Sequence, residues 1–137
     1  MKNIFFILVI LFCSHISIAQ TNVPANPAPQ EESPLVITDQ MPSFPGGDQK
    51  MMKFIQKNIK FPQAEYDAKL SGTTYITFVV EKDGSITGIA VLRGVPNGPG
   101  FDKEAMRVIA EMPKWVPGKN NGQVVRVQYN LPIHFSR

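Results

Sequence analysis

The sequence predicts an α+β domain, a small three-stranded antiparallel sheet with two helices packed on one face. Three observations lead there. Thr73–Glu81 and Ser85–Arg93 are β-rich runs separated by Lys82-Asp83-Gly84, whose Asp-Gly pair supplies the positive φ of a tight hairpin. Val125–Phe135 alternates apolar and polar residues without interruption. Two further stretches, beginning near Asp48 and Phe101, repeat apolar residues at helical spacing. Helices and antiparallel strands in this order fit an α+β layering.

The N-terminus comes first in the chain. Met1-Lys2-Asn3 is a short basic start, Ile4–Cys13 is apolar, and Ser17-Ile18-Ala19 places small residues before Gln20. This is the pattern of a cleavable secretory leader, residues 1–19. A membrane anchor needs about 20 apolar residues, and Ser14, His15 and Ser17 interrupt the run too early. Gln20–Pro34 then has four prolines and a single large aliphatic residue, Val23. Such a segment reads as an extended tether of roughly 45 Å at about 3.1 Å per residue. The folded domain is expected over 35–137.

Within it, Asp48 is the expected N-cap of a first helix. Met51, Met52, Phe54, Ile55 and Ile59 form its apolar face, and Lys50, Lys53, Lys57 and Lys60 a basic stripe read as a solvated face. Phe61-Pro62 breaks it, with Pro62 opening a second short helix that ends near Leu70. In the strand after Gly72, Ile76, Phe78 and Val80 alternate with Tyr75, Thr77 and Val79. The inward face of the next strand stays open between Ile86/Ala90/Leu92 and Ile89/Val91, because Gly88 can mark a bulge.

Gly94–Gly100 contains neither GK[ST] nor GxGxxG, and its prolines remove amide donors, so it reads as a connector. The following helix turns Phe101, Ala105, Val108, Ile109 and Met112 inward and Asp102, Lys103, Glu104, Arg107 and Glu111 outward, until Pro113 stops it. Trp115 is expected in the core. In the last strand Val125, Val127, Tyr129, Leu131, Ile133 and Phe135 face one way, and Arg126, Gln128, Asn130, Pro132 and His134 the other. Pro132 cannot donate to a ladder, so this strand belongs at a sheet edge.

The chemistry is sparse. Cys13 and His15 fall in the leader, leaving His134 as the one imidazole of the mature chain. A thiol nucleophile, a disulfide framework and a Cys/His zinc site are excluded. No cofactor motif is found. The charge of +3, from 14 basic and 11 acidic residues, does not call for nucleic acid. A hydrolase built on Asp83 or Glu104 lacks a neighbour in sequence to tune either carboxylate. An open edge strand instead suits β-augmentation by an extended peptide. The expectation is a non-enzymatic, exported binding module.

Residues 41–135 also resemble a known family. The matching pieces are Met41-Pro42-x-Phe44-Pro45-Gly46-Gly47, Phe61-Pro62 where the family has Tyr-Pro, and Gly72 before the first long strand. They continue with Phe78-Val79-Val80, Asp83-Gly84-Ser85-Ile86, Val91-Leu92-Arg93 and Glu104-Ala105. Pro113-x-Trp115-x-Pro117-Gly118 and Leu131-Pro132-Ile133-x-Phe135 complete the series. In order and spacing these resemble the TonB C-terminal domain of Gram-negative energy transducers, in its Bacteroidetes form.

The resemblance implies a peptide site and partners. Val125, Arg126, Val127, Gln128, Tyr129, Asn130 and Leu131 would form the pairing edge for the TonB box of an outer-membrane transporter. Asn58, Ile59, Lys60, Phe61 and Pro62 would flank the bound peptide. Inner-membrane motor proteins would be partners if the chain is anchored, facing the periplasm from the inner membrane. If the leader is cleaved, the chain is periplasmic, and its short tether suits a stand-alone adaptor for protein or peptidoglycan. An open edge also leaves homodimerisation by strand exchange open.

Overall fold

A computed structural model describes residues 32–137. The expected leader, and the tether through residue 31, lie outside the described residues.

The described residues begin as an irregular strap that reaches Phe44 and the glycine turn at 46–47. Helix α1 (Asp48–Asn58) starts after Gly47, whose φ of 82° is left-handed. Gly47, not Asp48, is therefore the N-cap. Asp48 instead sits in the first turn, where its negative charge complements the helix dipole. Met51 and Ile55 are buried, whereas all four lysines of the stripe are exposed. After Ile59–Pro62 comes a short helix α2 (Gln63–Asp67), with Pro62 as its N-cap.

Strand β1 (Gly72–Val80) is the centre of a three-stranded antiparallel sheet, flanked by β2 (Ile86–Arg93) and β5 (Val127–Phe135). The register to β5 runs unbroken from Gly72↔Phe135 to Val80↔Val127. Cross-strand partners share a face, so Thr74, Ile76, Phe78 and Val80 join Ile133, Leu131, Tyr129 and Val127 beneath the helices.

Pairing with β2 is interrupted twice, between Tyr75 and Ile76 and between Thr77 and Val79. Gly88, at φ 61°, lies in the second irregularity. The bulges mix the two expected faces: Ile86, Ile89 and Val91 pack against the core, while Ala90 and Leu92 are exposed.

Helix α3 (Pro99–Ala110) buries Phe101, Ala105, Val108 and Ile109. Three of its expected outward residues, Asp102, Glu104 and Arg107, are half-buried, because each has a partner. Asp102 accepts from the Thr74 hydroxyl at 3.0 Å, and Glu104 accepts from the Lys60 amide at 2.7 Å. The buried Glu65 of α2 reaches the start of α3, where its Oε1 accepts the Gly100 N–H at 2.6 Å.

Trp115 is 3% exposed. It lies edge-on to Phe44, Phe78 and Tyr129, with centroids 5.9, 5.4 and 5.1 Å away. It is a core residue.

The segment after Pro117 is a small hairpin of β3 (Gly118–Asn120) and β4 (Gln123–Val125). Asn121 and Gly122, at φ 50° and 77°, make the turn. The expected continuous last strand is thereby divided at Arg126. Val125 pairs with Gly118 in the hairpin, and only Val127 onward joins the main sheet.

Candidate peptide-binding edge

Strand β5 is one of the two edge strands of the main sheet, β2 being the other. Its polar backbone groups can be assigned a direction. Gln128 donates its N–H to the Leu35 carbonyl, on the side away from β1, at 2.8 Å. Because the direction alternates along an antiparallel strand, Asn130, Pro132 and His134 point their backbone groups the same way. Among the described residues, no hydrogen bond reaches the N–H of Asn130 or His134 from outside the strand pair. Pro132 offers only its carbonyl. The edge is therefore short and interrupted once.

Beside it runs a groove of about 320 Å³ between α1 and the end of β5. Met52, Ile55, Gln56 and Ile59 line one side, and Pro132, Ile133, His134 and Ser136 the other. Met52 is 51% exposed, an unusual degree for a methionine beside a core. A strand laid along β5 would project alternate side chains into this slot and cover Met52.

The expected site residues divide accordingly. Gln128, Tyr129, Asn130 and Leu131 lie on β5, with Tyr129 and Leu131 turned under the helices and Asn130 exposed. Val127 is fully buried at the start of the strand. Val125 lies in the hairpin, and Arg126 between the two strands.

Of the second group, Ile59 lines the groove. Phe61 packs edge-on to Phe101 and Phe135 at 5.2 and 6.2 Å, so it supports the sheet. Asn58 donates its side-chain amide to Phe54 O at 2.7 Å and accepts Arg107 through its own carbonyl, also at 2.7 Å. Lys60 is exposed, and Pro62 begins α2.

Two ion pairs fix the ends of the site. Arg107 bonds Glu104 within α3 through Nε at 2.9 Å and Nη2 at 2.5 Å, and the pair ties the turn after α1 to α3 through the Asn58 carbonyl on Arg107 and the Lys60 amide on Glu104. Hydrogen bonding to Arg107 holds the Glu104 carboxyl below the usual range against the opposing effect of burial. Arg126 bonds both oxygens of Glu81 at 2.7 and 3.0 Å, and lowers that carboxyl in the same way.

Sequence reasoning did not select Met52, Ile55, Gln56, His134 or Ser136 for the site. One signal was present: Met52, Ile55 and Ile59 share a helical face, at spacings of three, four and seven. Chemistry is scarce here. His134 Nδ1 lies 3.0 Å from the Thr73 hydroxyl on the exposed sheet face, and no group of metal-binding residues occurs among the described residues.

No curated protein matches the chain. The solution structure of the Helicobacter pylori TonB C-terminal domain is similar at 20% identity and a TM-score of 0.47, covering 64% of this chain and 90% of that one. The family model for the Gram-negative bacterial TonB protein C-terminal domain matches residues 57–136. This chain belongs to the TonB C-terminal family.

Proposed function

We propose that the domain binds the TonB-box segment of an outer-membrane transporter as an added strand along β5, without catalysing a reaction. The observation behind this reading is the juxtaposition of the outward backbone groups of Asn130 and His134 with the apolar groove at Met52 and Ile59. Main-chain bonds would supply general affinity, and the groove would select alternate side chains. Family membership supports a role in transport at the outer membrane. In this reading the 1–19 segment exports the protein, and binding occurs in the periplasm.

Amide hydrogen exchange on the secreted protein tests the reading. Synthetic peptides from the periplasmic N-terminal segments of the source bacterium's TonB-dependent transporters serve as probes. Binding should slow exchange at Asn130 and His134 at least tenfold, since each amide gains an acceptor. Peptides that bind while leaving both amides unchanged would place the site elsewhere.

A further inference from the structure

The chain itself already occupies one end of the β5 edge. Leu35 lies parallel to Val127. Its N–H donates to the Arg126 carbonyl at 2.9 Å, and its carbonyl accepts the Gln128 N–H at 2.8 Å. These are the bonds an incoming strand would make there. The strap is also held upstream of Leu35. Arg126 Nη1 donates to the Glu32 carbonyl at 2.5 Å, and Lys82 Nζ pairs with the Glu32 carboxylate at 2.6 Å. Ser33 and Pro34 border the recess formed by Val79, Glu81, Thr87 and Arg126.

Beyond Leu35 the strap departs from the sheet. Val36 and Ile37 are 62% and 84% exposed. Neither bonds to β5. The edge is thus divided by the protein's own chain: Arg126 C=O and Gln128 N–H are engaged, while the outward groups from Asn130 to His134 remain open. A second strand cannot lie beside Val127 while Leu35 is there, because neighbouring strands sit only about 4.8 Å apart.

We infer that Leu35 is a self-strand that limits the register and length of what β5 accepts. A partner strand docks at Asn130–His134, and extends toward Val127 only by displacing Leu35 from Arg126 and Gln128. This rests on the peptide-binding reading above. The clamp suits displacement, since the Lys82–Glu32 pair is solvent-exposed at 50% and 68% and is weakened by salt. Release of Leu35 would make occupancy of the edge felt at the junction with the N-terminal segment.

The test compares the full secreted chain with Leu35→Pro, which removes the N–H given to Arg126. The probe is a transporter-derived peptide of about ten residues, long enough to span the whole edge. Leu35→Pro should bind it about tenfold more tightly, because displacement no longer breaks that bond. In the unaltered protein, saturation with the same peptide should release the Leu35 carbonyl from Gln128 and give Ser33, Leu35 and Val36 the amide shifts of a free chain. This second readout does not depend on the variant folding. Binding by the unaltered protein with 33–36 unmoved, or equal affinity in a folded Leu35→Pro, overturns the self-strand and leaves the peptide site standing. No binding by either protein overturns both.

Discussion

Trp115 donates its backbone N–H to the Gly84 carbonyl at 2.8 Å, while the Trp115 carbonyl stands where a Cβ on Gly84 would have to lie. The β1–β2 turn is thereby closed onto the residue that follows α3. Gly84 also has a φ of 84°, so the position combines a left-handed backbone with a backbone neighbour that cannot rotate away.

Gly84→Ala should therefore destabilise the domain by about 3 kcal/mol, from backbone strain plus displacement of the Trp115 backbone. Gly122 provides the control. Its φ of 77° is similar but no atom lies near its Cβ position, so Gly122→Ala should cost only about 1 kcal/mol. Thermal unfolding of the two variants separates steric from conformational cost. Equal losses would contradict the close approach at Trp115.

The Glu65 carboxylate caps α3 through the Gly100 N–H and is 4% exposed. Glu65→Ala removes that acceptor and leaves a half-buried amide unpaired, a loss of about 2 kcal/mol. Glu65→Gln keeps an oxygen in place and should cost less than half as much. Urea denaturation measures both, and equal effects would mean that the cap contributes nothing.

Glu81 and Glu104 are held below the ordinary carboxylate value of 4.5 by their hydrogen bonds to Arg126 and Arg107. A lowered folded-state pKa adds stability at pH above the unfolded value, and that stability is lost as pH falls through the folded one. Stability should thus decline as pH falls below about 4.5. Glu81→Gln should weaken the domain near neutrality by about 1 kcal/mol and flatten its acid slope. An acid slope unchanged by the substitution would remove Glu81 from this account.

The hairpin, the helices and the last strand were legible because each announces itself locally. Asp83-Gly84 fixes a turn, and the alternation from Val127 to Phe135 leaves one choice of buried face. What was not legible depends on distant contacts. Strands of three residues, such as Gly118–Asn120, are too short to show a period. The division at Arg126 is hidden because Val125 and Val127 continue the alternation across it. Both strand faces of β2 were open until the bulge at Gly88 and the pairing with β1 selected Ile86, Ile89 and Val91.

The groove was only half visible. Met52, Ile55 and Ile59 share a helical face, but sequence spacing does not say that this face overhangs the end of β5. Leu35 gave no signal at all: a single bridged residue after a proline-rich segment has neither period nor turn chemistry.

Whether partners bind through the outward backbone of β5 is tested by Asn130→Pro. Asn130 is exposed and its N–H points away from β1, so a proline there removes an edge donor while leaving the β1–β5 ladder intact. Titration calorimetry with a transporter-derived peptide should show at least a tenfold loss of affinity in this variant, with Asn130→Ala binding like the unaltered protein. If a folded Asn130→Pro binds the peptide as tightly as the unaltered protein, the added strand does not use this edge.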